Sequence, residues 1–349
     1  MIRLVCVDMQ EQIKFGNDET KSHQSNAGPQ PREKSTFVGQ QSAGIGKLLS
    51  DDDSSPQVTT LLPDGSHIAK LFHGTAHDQC DHLSSHYASQ QFRMIYWDPP
   101  FFTGRHHHAD GGEFSDEWPD LSTYLAWIKN HMERWSPHLA KDGFLVVHCD
   151  WHAGHYIKVI GDEVMGWDNF RNEVIWHYTG RRQPARLRIN SKHDTLFIWA
   201  KSAAATFTPV FDPWDRDEYV RMKRQEVHQD EEGHEWIWGH RGKGQPHAYR
   251  IYLEEVVGRG RAIDTVWDIP IINTSAKERV GYPTQKPLQL MTRLTELCTE
   301  PDDWVWDPMM GSGTTLVAAI SKGRHAFGGD SNAQAMGLTQ MRLVDLSHS

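Results

Sequence analysis

"VWDPMMGSGTT", residues 305–315, is the stretch on which the fold turns. An apolar run ends on Asp307, Gly311 and Gly313 follow, and two threonines open the small apolar segment "LVAAISKG" (316–323). This is a strand, a glycine turn and a helix start. Glycines let the backbone pass close to a ligand, and the first helical turn presents amides that lack partners within the helix. The next apolar run, "HAFGGD" (325–330), ends on Asp330, 17 residues after Gly313. Nucleotide-binding α/β folds place a carboxylate for ribose hydroxyls at such a strand end. A glycine turn alone is also an ordinary strand–helix connection; the acid on the following strand favours a cofactor loop. The turn lacks the Gly-Lys-Ser/Thr of a phosphate-binding loop, and Leu316 stands where a dinucleotide fingerprint needs its third glycine. Asp307 at the entrance is poor company for a pyrophosphate. It suits a ligand with a cationic amine and a sulfonium, such as S-adenosylmethionine.

A second strand-ending acid lies far upstream, in "MIYWDPPFFTGR" (94–105). "FRMIYW" (92–97) reads as a buried strand with Asp98 at its C-terminal end, and Pro99 and Pro100 stiffen the exit. In isolation that is a strand and a proline turn. Leu121, Tyr124, Leu125, Ile128, Met132, Trp135 and Leu139 then recur at helical spacing. "KDG" (141–143) turns the chain into a core strand, "FLVVH" (144–148). Tyr156, Val159, Ile160 and Val164 mark another helix that stops near Gly166. "NEVIWHY" (172–178) and "DTLFIWA" (194–200) are two more strands. Near the C-terminus, "PLQLMTRLTELC" (287–298) is a helix with Pro287 in a favourable first-turn position. "DWVWD" (303–307) is a strand and "NAQAMGLTQMRL" (332–343) a closing helix. The alternation predicts an α/β fold, a mostly parallel sheet with helices on both faces.

The chain of 349 residues is long enough for one large α/β domain with an insert, or for two domains. Its formal charge of −10 argues against a general polyanion coat and leaves room for a local basic surface. Cys6, Cys80, Cys149 and Cys298 are scattered, as expected for reduced thiols in the cytoplasm. No apolar run approaches the ~18–20 residues of a membrane span. "MIRLVCVDMQ" is short, lacks a basic start and carries Asp8, so it is not expected to be a signal peptide. Residues 16–60 are polar and without period, and read as a mobile extension or linker, with ordered structure beginning near Ser66.

Taken together, these stretches resemble the permuted β-class of DNA amino-methyltransferases. "DPPF" (98–101) looks like that family's catalytic motif, "DPMMGSGTT" (307–315) like its cofactor motif, and "YPTQKPLQL" (282–290) like the segment before it. Residues 143–178 and 193–202 are similar to its middle section. The resemblance implies a Rossmann-like methyltransferase fold, circularly permuted, with an inserted target-recognition region. It implies S-adenosylmethionine as cofactor, held by Asp307, Pro308, Gly311, Ser312, Gly313, Thr314 and Asp330, with Thr284, Lys286 and Pro287 from the preceding segment. It implies catalysis by Asp98, Pro99, Pro100 and Phe101 on a base flipped out of double-stranded DNA.

The chemistry fits those residue types. An exocyclic base amine is a weak nucleophile because its lone pair is delocalised into the ring. A carboxylate accepting one N–H and a backbone carbonyl accepting the other favour the tetrahedral nitrogen that attacks a methyl group. Asp98 supplies the first acceptor, the rigid prolines aim the second, and Phe101 offers a stacking face. Within the family, Asp at the first motif position leans toward adenine N6 and Ser toward cytosine N4. Cytosine N4 methylation and a catalytically idle DNA-binding relative are the alternatives. Two positions depart from the family pattern: Met309 stands in place of Phe, and Gly74-Thr75 in place of Gly-Asp, which leaves no cofactor-contacting acid there unless Asp78 takes its place.

The remaining segments carry binding rather than chemistry. Residues 206–262 break the α/β pattern and read as the insert that selects the target sequence. Between 171 and 262, 16 lysines and arginines meet 13 acids, so this part is basic within an acidic chain. Arg181, Arg182, Arg186 and Arg188 fall in "GRRQPARLRINSK" with no acid, and are expected to contact DNA phosphates. His106, His107 and His108 are expected in a polar, mobile loop near the DNA entrance. His148, Asp150, His152 and His155 lie close in sequence, but their spacing is not that of a zinc helix motif, and no metal is expected. The expected organisation is an extension at 1–65, a catalytic half at 66–205, the insert at 206–262 and a cofactor half at 263–349. A monomer or homodimer, and a cognate restriction endonuclease as partner, complete the expectation.

Overall fold

The computed structural model describes residues 58–109, 112–180, 184, 187, 189–240 and 248–346. The extension through residue 57 and Arg181, Arg182, Arg186 and Arg188 lie outside the described residues. In chain order the elements begin with β1 (Val58–Leu61), β2 (Ala69–His73), α1 (Ala76–His86), β3 (Phe92–Trp97) and α2 (Leu121–Trp135). Next come β4 (Leu139–Cys149), α3 (Gly154–Met165), β5 (Phe170–His177), β6 (His193–Ala200), α4 (Arg216–Lys223) and α5 (Leu253–Arg259). The chain then adds β7 (Val266–Asp268), α6 (Leu288–Cys298), β8 (Trp304–Asp307), α7 (Thr314–Ser321), β9 (His325–Asp330) and α8 (Ala333–Leu346).

The nine strands form one sheet in the order β1-β2-β9-β8-β3-β4-β6-β5-β7. From β2 to β4 neighbours are parallel; β6 runs against both β4 and β5. Period-two alternation divides each central strand between two cores. Met94 and Tyr96 pack with α6 and α7 on one face, and Ile95 and Trp97 with α1, α2 and α3 on the other. Burial on both faces is why β3 reads as a continuous apolar run.

Strands β8 and β3 are neighbours, with Val305 opposite Met94 and Trp306 opposite Ile95. From β8 the chain passes through α7 to β9 on one side. From β3 it passes through α2 to β4 on the other. The strand order therefore reverses between them, and a crevice opens beyond their carboxyl ends. Asp307 and Asp98 stand there. This is the expected sheet, mostly parallel with helices on both faces.

Several expectations require correction. Among the described residues, β1 at Val58–Leu61 precedes the expected start near Ser66, because it pairs antiparallel with β2 at the sheet edge. Leu139 does not end α2 but begins β4, opposite Phe92. On α3 the expected markers Tyr156 and Val159 are 51% and 68% exposed, and the buried stripe is Gly154, Ile157, Gly161 and Met165. The histidine triplet stands in a strand, His106–Ala109, paired with Gly112–Ser115 in a hairpin rather than in an irregular loop. Pro287 is the N-cap of α6, with extended backbone, rather than a residue of its first turn.

The segment between β6 and β7 builds its own small unit. Phe211–Asp212 pairs with Arg261–Ala262 as a two-stranded neck. Beyond it, strands His228–Gln229, Glu235–His240 and Ala248–Tyr252 form an antiparallel sheet. Tyr219 of α4, Ile237, and Leu253 and Val256 of α5 make a separate buried cluster. Among the described residues, no helix is long and apolar enough to cross a membrane.

Candidate active site

A pocket of about 580 Å³ occupies the crevice between β3 and β8. Asp98, Pro99, Pro100 and Phe101 line it together with Asp307, Pro308, Gly311, Ser312, Thr314, Asp330, Thr284 and Lys286. The two motifs, about two hundred residues apart in sequence, thus face one space. Gly313 and Pro287 are not among the lining residues. Gly313 supports the turn from behind: it has φ 71°, and a Cβ there would meet Thr339 at 2.4 Å.

The glycine turn is held from several directions. Gly311 has φ 50°, and a Cβ there would lie 2.9 Å from the Tyr282 ring. Its N–H donates to Asp330 Oδ2 at 3.0 Å, and Asn332 N–H donates to Asp330 Oδ1 at 2.8 Å. Thr339 Oγ1 donates to the Gly311 carbonyl at 3.1 Å, and Arg342 to that of Ser312 at 2.6 Å. Buried Gln79 donates to the Pro308 carbonyl at 2.8 Å and accepts from Trp306 Nε1 at 3.2 Å. The anchors come from α1, β9 and α8, so the turn's shape belongs to the tertiary fold.

Asp98, Asp116, Asp307 and Asp330 bring carboxyl groups to this pocket. Burial pushes Asp307 up to about 7, against hydrogen bonds from Thr315 and the Met309 amide, and the charges of Asp98 and Asp330 add to the rise. Burial also raises Asp330, despite its amide donors. A cationic ligand relieves such crowding and an anionic one aggravates it. A glycine-lined turn beneath crowded carboxylates fits S-adenosylmethionine.

Asp98 holds two very different oxygens. Oδ2 pairs with Lys286 Nζ, which the sequence had assigned to the cofactor. Oδ1 is buried and accepts no hydrogen bond among the described residues. The Tyr124 hydroxyl of α2 donates to the Pro100 carbonyl at 2.8 Å and stiffens the turn. Phe101 has its ring 5.5 Å from that of His148 and 5.5 Å from Lys286 Nζ. Phe102 adopts φ 61°, unusual for a side chain of this size. Buried Asp116 holds that conformation by accepting the Phe102 and Thr103 amides at 3.0 and 3.1 Å and the Thr103 hydroxyl at 2.6 Å. Sequence reasoning missed Asp116, which no local pattern marks. It also weighed His148 only as a metal ligand.

A family model described as DNA methylase matches residues 92–341, most of the chain. The chain is a member of the N6/N4 DNA methylase family. It is 31% identical over 259 residues to the type II methyltransferase M2.DpnII of Streptococcus pneumoniae, covering 72% of this chain and 81% of that one. It is 22% identical to the DNA adenine methyltransferase YhdJ of Escherichia coli K12, covering 81% and 85%. The solved PvuII DNA methyltransferase, cytosine-N4-specific, shares the fold at 13% identity and a TM-score of 0.50, covering 80% and 91%.

The structure of this methylase accounts for its departures from the family pattern. Met309 accepts a hydrogen bond from Trp97 Nε1 at its Sδ, 3.3 Å away, a contact that a phenylalanine cannot make. Thr75 is the N-cap of α1 and forms a capping box with Asp78. The Asp78 carboxylate accepts the Thr75 amide and hydroxyl at 2.9 and 2.7 Å and is not among the residues lining the pocket, so it does not substitute for the family's acid. The His148–His155 stretch diverges: His148 points toward Asp98 and Asp194, whereas Asp150 pairs with His152 at 2.6 Å.

Proposed function

We propose that this methylase transfers the methyl group of S-adenosylmethionine to N6 of an adenine flipped out of double-stranded DNA. The observation that carries the reading is Asp98: it lines the pocket that also holds the glycine turn, and its Oδ1 is buried without a hydrogen bond among the described residues. An orphaned buried acceptor is costly, and a substrate N–H satisfies it. Asp98 accepts one amine proton, and the carbonyl of Pro99 accepts the other while Tyr124 occupies that of Pro100. Phe101 stacks on the base. Lys286 orients the second carboxylate oxygen. Bound S-adenosylmethionine supplies an electrophilic methyl group on a sulfonium. Asp307 and Asp330, with Pro308, Gly311, Ser312, Thr314 and Thr284, bind its polar groups, while Gly313 and Pro287 shape the turn and the helix behind it. The chain's share of the work is positioning and electrostatics.

Arg181, Arg182, Arg186 and Arg188 contact DNA phosphates, and the unit between the neck strands selects the sequence. The protein acts in the cytoplasm, as a monomer or homodimer, as the modification partner of a cognate restriction endonuclease. The adenine assignment follows from Asp at position 98. The test is expression in a methylation-free host and mass spectrometry of the nucleosides. N6-methyladenine is expected; N4-methylcytosine would reassign the base, and no modification would leave an idle relative. Asp98→Ala should lower single-turnover methylation by at least about 100-fold, the usual scale for losing a group that stabilises developing charge. Retention of near wild-type rate would remove Asp98 from the mechanism.

A further inference from the structure

We propose that His148 is a positioning residue behind Asp98 that receives the proton shed by the methylated amine. The inference rests on the amino-methyl transfer just described. In that reaction the nitrogen–methyl bond forms as the carbon–sulfur bond breaks, and the bond pair stays with sulfur. The nitrogen becomes cationic and must lose one proton. Asp98 touches that proton first, through Oδ1, because Lys286 holds its Oδ2. The next base inward is His148.

The geometry behind Asp98 forms a line. His148, on β4, is fully buried, and its Nδ1 lies 3.6 Å from Asp98 Oδ1. The Tyr96 hydroxyl, on β3, lies 2.8 Å from the same Nδ1. His148 Nε2 lies 3.3 Å from Asp194 Oδ2, on β6, and the Tyr178 hydroxyl donates to Asp194 Oδ1 at 3.1 Å. Trp176 of β5 and Phe101 close the remaining sides with their rings. The charged groups around the imidazole are therefore Asp98, with Lys286 beyond it, and Asp194, with Asp150 just past the end of β4.

The surroundings choose the tautomer. Burial raises the Tyr96 hydroxyl well above its ordinary range, so it keeps its proton and donates to Nδ1. Burial pushes Asp194 up, but His148, Lys286 and Tyr178 hold it below the usual carboxylate value, so it is an ionised acceptor. Nε2 therefore carries the hydrogen, and the Nδ1 lone pair faces Tyr96 and Asp98. When Asp98 takes the amine proton, rotation of the Tyr96 hydroxyl frees Nδ1 to accept it. The imidazolium then sits between two carboxylates, and the proton returns through Asp98 to solvent after product leaves. One proton is released per methyl group transferred. A buried histidine behind a carboxylate is a proton-holding arrangement with an orienting acid on its far side.

The test uses the full chain. Imidazole ¹⁵N NMR of the unliganded protein should show the Nε2–H tautomer of His148; the Nδ1–H tautomer would block proton acceptance and overturn the proposal. His148→Gln keeps hydrogen-bonding groups but takes no proton. Its thermal midpoint, cofactor affinity and flipping of a 2-aminopurine duplex should stay within about twofold of wild type, while single-turnover methylation falls at least about tenfold at neutral pH. The deficit should shrink toward about pH 9, where hydroxide substitutes for the imidazole. Should His148→Gln fail to fold, Asp194→Asn is measured in the same way and should show a deficit of the same pH dependence. A deficit independent of pH, or none, overturns the relay with the function intact. An inactive wild type overturns the functional reading itself.

Discussion

Asp307 and Asp98 both end strands in one crevice, yet they differ in chemical state. Asp98 has Lys286 beside it and one buried oxygen without a hydrogen bond among the described residues. Asp307 is buried without a cation, and its carboxyl is pushed up to about 7. At acid pH it therefore holds a proton, which a bound cation requires it to lose. Affinity for S-adenosylmethionine should rise with pH up to about 7, by at most about tenfold per unit, and level off above it. Calorimetry in two buffers of different ionisation enthalpy checks this: binding on the acid side should release a proton, and Asp307→Asn should remove both the release and the pH slope. The carboxylates were legible in the sequence because each ends an apolar run. Their electrostatic difference was not, since it depends on Lys286, 188 residues from Asp98.

At the scale of elements, α3 shows where periodicity misleads. Its apolar residues Tyr156 and Val159 lie outside, while Gly161 faces the sheet because the Trp199 indole fills the space a side chain would need. A Cβ on Gly161 would come within 2.2 Å of that ring, and Trp199 Nε1 is fixed by a 3.0 Å hydrogen bond to Asp162 Oδ1. Helix propensity alone favours Gly161→Ala by about 1 kcal/mol. Overpacking of this kind costs about 1–3 kcal/mol. The substitution should therefore lower the urea midpoint with an unchanged slope; a raised midpoint would mean that the indole yields. In α2 the same reasoning succeeded, because Tyr124, Ile128, Met132 and Trp135 are all large enough to be the buried stripe.

Across the whole molecule, the unit between the neck strands is separable by construction. Asp212 lies opposite Arg261, so the chain leaves and re-enters at one place, and Asp212 is tied to Arg293 of α6. Replacing residues 213–260 with a short glycine-serine linker should preserve S-adenosylmethionine binding within about threefold and abolish sequence-specific methylation, as judged by calorimetry and sequencing of exposed plasmid. Loss of cofactor binding would show that the unit supports the pocket. The sequence by itself determined the α/β class and the strand ends that carry Asp98 and Asp307, since each is written in neighbouring residues: apolar runs, glycine turns, proline stiffening. Tertiary structure alone decided which strands adjoin, and with that the meeting of Asp98 with Lys286 and His148, of Tyr96 with His148, and of Asp194 with His148 and Tyr178. Local pattern sets which face of an element is buried, whereas sheet order and strand register set which distant side chain meets it there.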